Sequence, residues 1–176
     1  ITLQSHVTEI YNKALAKFGT IDVVINNGGT RQRDLYLDTH GSVSILETDI
    51  SEWQRMFETH VFGNLRVIKT FCRPMIEQRK GSIINTSSSQ LLNAHGAGMG
   101  EQTGYGLSRE GPYQPAKAAM GSMTIYLAKE LAQHNVAVNL MMPGHTATTG
   151  SDEQEIVRDD IRQRLGLGES NFIPRR

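Results

Sequence analysis

Tyr113 and Lys117 stand four residues apart in the stretch Gly111-Pro-Tyr-Gln-Pro-Ala-Lys-Ala. On a helix that spacing puts both side chains on one face. Met120, Thr124, Leu127 and Leu131 continue the same face, so the pair heads an inward stripe. A phenol and an ammonium entering a core side by side need a reason. Acid–base chemistry supplies one, because the lysine charge favours tyrosinate and makes Tyr113 a proton donor usable near neutral pH. A partly exposed tyrosine beside a lysine snorkelling to water is the plainer alternative. Six scattered histidines and a single cysteine, Cys72, have no ligand spacing, so neither a metal site nor an internal disulfide is expected.

The elements that would position this pair can be traced from the patterning. Val7, Ile10, Tyr11, Ala14, Leu15 and Phe18 form the stripe of an amphipathic helix that Gly19 stops. Ile21 to Ile25 is a short β-branched run, a buried strand ending in Asn26-Asn27-Gly28-Gly29. Residues 30–50 show no sustained period and are expected to be loop. Ser51 and Gln54 make a capping-box start for a helix running to about Gln78, with Gly81 ending it and Ser82 to Thr86 forming the next strand. Residues 87–111 hold Ser87-Ser88-Ser89 and then six glycines, and the glycine-rich insertion loop 90–111 is expected to act as a lid or to be decoration. A further helix runs from near Pro112 to Gln133, and Val136 to Met142 is a third strand, with Met141 and Met142 expected in the core. From Ser151 a charged stretch is expected to be helical, with Arg158, Arg162 and Arg164 on a solvated face. Helices alternating with short apolar strands predict an α/β fold with a parallel sheet. Ligands of such sheets bind at the carboxyl ends of the strands. Here those ends are Asn26–Gly29, Ser87–Ser89 and Pro143–Thr148.

The chain has 176 residues, enough for one domain. Lysine plus arginine and aspartate plus glutamate number 18 each, which gives no electrostatic reason to expect nucleic acid or an anionic membrane as partner. No apolar run approaches the roughly 20 residues of a membrane span. The opening Ile1-Thr2-Leu3-Gln4 has neither an initiator methionine nor a signal-peptide pattern. With one cysteine, a reducing, cytoplasmic setting is expected.

Asn26-Asn27-Gly28-Gly29, Asn85-Thr86-Ser87-Ser88, Tyr113-x-x-x-Lys117 and Pro143-Gly144-x-x-x-Thr148 occur in this order. In them the sequence resembles the short-chain dehydrogenase/reductase family, whose NNAG, SS, YxxxK and PG motifs share that order. The likeness runs from about Ile1 to Thr149 and includes the approach Phe18-Gly19-Thr20-Ile21-Asp22. It implies a Rossmann-type doubly wound parallel sheet, of which this chain holds the second half, and an NAD- or NADP-dependent oxidoreductase interconverting an alcohol and a carbonyl. On that resemblance Ser88, Tyr113 and Lys117 are catalytic. Tyr113 moves the proton, Lys117 tunes it and bonds the nicotinamide ribose, and Ser88 holds the substrate oxygen. Asn26 and Gly28 shape the turn beside the adenosine half, while Pro143, Gly144 and Thr148 wall in the nicotinamide. A non-catalytic binding or scaffold relative, or a dehydratase or epimerase of the same family, are the alternatives. A homodimer or homotetramer is expected, pairing through the helices 51–78 and 112–133, with Val67 and Ala119 on the shared surface.

The sequence also departs from the family. The glycine-rich TGxxxGxG turn, which holds the pyrophosphate and precedes the residue choosing between the two cofactors, is missing. So is the last strand. The chain is therefore expected to be a piece of a longer polypeptide, to leave the edge of the Ile21–Ile25 strand bare, and not to turn over NAD(P)H by itself. His60 stands where the family often has an asparagine. It is expected to be a satisfied core histidine, with a proton relay as the alternative. Ser88 and Tyr113 are further apart than usual, and a competing Tyr105-x-x-x-Arg109 lies between them. Arginine is a poor substitute for a lysine that tunes a neighbouring proton, and the downstream spacing favours Tyr113.

Overall fold

The computed structural model describes residues 1–36, 43–88 and 111–143. Helix α1 (Gln4–Phe18) ends where expected, because Gly19 takes φ 77° and its N–H turns back to the Leu15 carbonyl at 2.8 Å. Strand β1 (Val23–Asn26) follows. The stretch read as loop contains two single 3₁₀ turns, Gln32–Asp34 and Ile45–Glu47. A long helical rod comes next, made of α2 (Ile50–Phe57), a π-helical turn (Glu58–Gly63) and α3 (Asn64–Gln78). Strand β2 (Gly81–Thr86), helix α4 (Tyr113–Ala132) and strand β3 (Val136–Met141) complete the described elements.

Both ends of the rod differ from expectation. Asp49, not Ser51, caps its start, and the Asp49 N–H donates to a Glu52 carboxylate oxygen at 2.9 Å. A carboxylate at this helix end also meets the positive pole of the helix, which a glutamine amide would not exploit. Arg79, not Gly81, ends the rod, with φ 53°. Its left-handed backbone is held by partners on the turn before β3. The Arg79 guanidinium donates to the Gln133 carbonyl at 3.0 Å, and its own carbonyl accepts from the Asn135 amide at 2.9 Å. Gly81 instead opens β2, where the Met75 side chain lies so close that a Cβ would collide with it.

The three strands are parallel in the order β1-β2-β3, with Asn26 opposite Asn85 and Thr86 opposite Met141. Among the described residues α3 packs on β1 and β2, α4 packs on β3 and β2, and α1 packs on α3. Ile21, Val24, Ile68, Met75, Ile83, Leu131 and Val136 form the shared core. Burying a side chain such as Ile68 or Ile83 contributes about 1.5–3 kcal/mol.

The other face of the sheet is open in the described residues. Val24 and Asn26 are buried, whereas Val23 and Ile25 are 55% and 61% exposed. A groove of about 610 Å³ follows β1, lined by Phe18, Ile21, Val23, Ile25, Val67 and Phe71 among others. Two expectations change here. Met141 and Met142 are exposed rather than core, since the alternation of β3 turns Ala137, Asn139 and Met141 to the open face and Met142 lies past the strand. Val67 packs against the core and the β1 groove rather than off the core stripe. Cys72 is half-buried beside the core, and burial raises its thiol pKa.

Candidate active site

The carboxyl ends of β1 and β2 and the first turn of α4 meet around a cavity of about 340 Å³. Asn27, Gly29, Thr30 and Arg31 form one wall, Thr86, Ser87 and Ser88 another, and Tyr113, Lys117, His60 and Pro143 the rest.

A buried polar spine stands behind this cavity. The Asn26 amide donates to Asn85 Oδ1 at 2.8 Å, Asn85 donates to Thr124 Oγ1 at 2.9 Å, and Thr124 donates to the Met120 carbonyl at 2.7 Å. Each member passes its hydrogen to the next, so the amide orientations are mutually fixed and β1, β2 and α4 are tied together.

Lys117 is 5% exposed. Its ammonium donates to the Thr86 carbonyl at 2.8 Å, and its own carbonyl accepts from Ser87 Oγ at 2.9 Å. Burial lowers its pKa to about 8. The ammonium lies 5.6 Å from the centroid of the Tyr113 ring, so the two side chains do share a face. Tyr113 is half-buried and opens α4. Its N–H, one of the helix-start donors with no intrahelical acceptor, donates to Gln32 Oε1 at 3.2 Å.

His60 lies in the π-helical turn, 1% exposed. Its Nε2 is 2.8 Å from the Thr30 carbonyl. A carbonyl only accepts, so Nε2 carries the hydrogen, and Nδ1 is a buried lone pair with no partner among the described residues. Burial lowers the His60 pKa to about 4 against the opposing Thr30 bond, with the Lys117 charge adding to the effect. The ring is therefore neutral, buried and only half satisfied.

Of the residues singled out in the sequence, Ser88, Tyr113, Lys117 and Pro143 line this one cavity. Asn26 does not line it. Its side chain turns into the interior spine, and Asn27, next along the strand alternation, takes the wall. Gly28 is exposed and off the lining. Gly144 and Thr148 lie outside the described residues, as do the glycine-rich 90–110 and the Tyr105–Arg109 pair. Sequence reasoning missed Gln32, Thr30 and Arg31, which sit in a stretch without period. It also gave no role to Thr86, whose Oγ1 is buried without a partner among the described residues.

Comparison with known proteins identifies the family. Residues 1–158 match the short chain dehydrogenase family. The chain belongs to that family. It is 42% identical over 136 residues to a fluoren-9-ol dehydrogenase of Terrabacter, covering 77% of this chain and 38% of the relative. It is 32% identical to a 3-oxoacyl-[acyl-carrier-protein] reductase of Thermotoga maritima, covering 96% of this chain and 60% of that one. The chain thus spans less than two-thirds of these relatives. Among solved structures, an NAD⁺-bound xylitol dehydrogenase superposes with a TM-score of 0.68 at 22% identity, over 98% of this chain and 56% of that protein. The short-chain dehydrogenase family is one of oxidoreductases, and the parallel sheet with its helices is part of its Rossmann-type fold. No described helix is long and apolar enough to cross a membrane.

Proposed function

We propose that this protein is an NAD- or NADP-dependent oxidoreductase interconverting an alcohol and a carbonyl, with Ser88, Tyr113 and Lys117 as its catalytic residues. One observation carries the reading. A buried ammonium and a phenol one helical turn apart line one cavity with Ser88 at the carboxyl ends of parallel strands.

The cavity suits a nicotinamide ribose. The Lys117 ammonium has three donors and uses one on Thr86, while the buried Thr86 Oγ1 still lacks a partner. A hydroxyl-bearing group answers both needs. In this reading Tyr113 and Lys117 would hold the ribose, Asn26 would act only from the interior by fixing the β1 end through Asn85, with Gly28 in the turn after it, and Pro143, together with Gly144 and Thr148 on the family resemblance, would wall in the nicotinamide. When bound, the nicotinamide supplies or accepts the hydride.

The chain's own residues handle the proton and the charge. In oxidation Tyr113 takes the proton of the alcohol as phenolate, and in reduction it returns one to the carbonyl oxygen. The Lys117 charge stabilises the phenolate, more strongly for being buried. The Ser88 hydroxyl donates to the substrate oxygen while negative charge develops there. The likeness to a fluoren-9-ol dehydrogenase makes a cyclic secondary alcohol the first substrate to try.

The protein is further read as one domain of this family acting in the cytoplasm as a homodimer or homotetramer. Phe62, Ile125 and Tyr126, exposed by 48%, 58% and 65% on the rod and α4, supply the apolar surface for pairing. Light scattering at micromolar concentration tests the oligomer. The catalytic reading is tested by fluoren-9-ol oxidation with NAD⁺ and NADP⁺ in the full-length protein. Turnover should be seen with one of them and should be lost in Tyr113→Phe. Retained turnover in that variant overturns the assignment.

A further inference from the structure

We propose that His60 is a positioning residue for the Tyr113 phenol, coupling the turn after β1 to the proton donor. The inference rests on the reading of Tyr113 given above and adds a residue to it.

Three contacts carry the argument. At its tip, the imidazole donates from Nε2 to the Thr30 carbonyl at 2.8 Å. On one flank it fills the space beside Gly29, where a Cβ would collide with the ring carbon Cε1 and come within 2.9 Å of Nδ1. Beyond that, the ring stands edge-on to Tyr113, with centroids 5.3 Å apart and planes at 88°. The imidazole is thus a wedge between the turn at Gly29–Thr30 and the phenol.

The backbone of His60 is pinned as well. The Asn64 amide donates to the His60 carbonyl at 2.7 Å and to Met120 Sδ of α4 at 3.0 Å. Since α4 also carries Tyr113, the wedge is anchored to the helix it steers against. The bare Nδ1 strengthens the case. A buried lone pair with no donor is costly, and an apolar ring would fill the same volume without it. What the imidazole adds is the bond to Thr30, which fixes the plane of the ring. A neutral ring suits this role, and burial keeps it neutral.

The test uses the full-length protein with fluoren-9-ol, reading kcat, KM and cofactor Kd separately. In His60→Ala, kcat should fall about ten- to a hundredfold, the range in which small misplacements act, with cofactor Kd within about twofold. His60→Phe, which keeps the ring but not the Thr30 bond, should recover part of the loss. Gly29→Ala, which pushes on the imidazole, should lower kcat when His60 is present and lower it several-fold less in the His60→Ala background. Wild-type kcat in His60→Ala, or an equal effect of Gly29→Ala in both backgrounds, overturns the proposal. Should His60→Ala fail to fold, His60→Gln, which keeps an N–H for Thr30 but no ring, takes its place under the same criteria. Activity retained in Tyr113→Phe brings down the proton-donor reading itself. Activity lost there but unmoved by His60 substitution removes this inference alone.

Discussion

At the carboxyl ends of β1 and β2, buried polar groups are bound to named partners: Asn26 to Asn85, Asn85 to Thr124, Lys117 to Thr86 and His60 to Thr30. Along the flank of β1 the same sheet shows apolar side chains, Val23 and Ile25, open in the described residues and bound to nothing directional. Apolar burial is tolerant of shape, because area does not depend on orientation. A hydrogen-bond chain is intolerant, because each member dictates the donor and acceptor of the next. The rim should therefore respond sharply to single-atom changes and the flank hardly at all.

The largest contrast should come from Tyr113→Phe, which removes one oxygen. Loss of a general acid–base group lowers kcat about 10²- to 10⁴-fold, while the melting temperature stays close to wild type. Val23→Thr, assayed beside it, should leave kcat unchanged.

Acid should come next. His60 binds its proton less readily folded than unfolded, with its pKa lowered from 6.5 to about 4. Its contribution to stability is therefore complete above pH 6.5 and is lost as the pH falls toward 4, by up to about 3 kcal/mol. Denaturant unfolding across this window should show the loss in wild type and a flatter profile in His60→Asn.

Asn85→Ala strands the Asn26 amide in the interior and should cost about 1–3 kcal/mol. Asn26→Ala should cost a similar amount, and the double variant should cost less than the two together, since they share one bond. Additive losses in urea melts would show that the spine is not a coupled chain. Smallest of all, Val23→Thr or Ile25→Thr in the 176-residue chain should shift the unfolding free energy by about 0.5 kcal/mol or less. A loss several times larger would mean that this face is covered.

The difference between rim and flank also explains which parts were legible in the sequence. The stripe from Val7 to Phe18 and the β-branched run into Asn26 announce themselves because apolar spacing follows the geometry of each element. Tyr113 and Lys117 were legible for the same reason, being four apart on a helix. Asn26 was legible as important but not in its direction. Which of two adjacent asparagines faces the core depends on strand register, and only the neighbouring Asn85 decides it. Gln32 and Thr30 left no trace, because their roles come from a side-chain oxygen and a backbone carbonyl that reach partners far along the chain. The true cap at Asp49 and the Arg79 terminus were hidden by more conventional candidates nearby.

Met56, His60, Asn64 and Ile68 are all buried, at strict four-residue spacing. In a straight α-helix each step of four overshoots a full turn by about 40°, so such a row would spiral away from its sheet. The wider winding of Glu58–Gly63 absorbs that drift and keeps the row in line. The number of residues between Met56 and Ile68 therefore matters independently of their identity. Loss of one codon within 58–63 would let the stretch wind as an ordinary α-helix, in which the remaining steps from Met56 to Ile68 make about three turns, so Ile68 would keep its seat while the wide turn that carries His60 would be lost. For this stretch the extra residue sets the wide turn, and the wide turn sets where His60 sits.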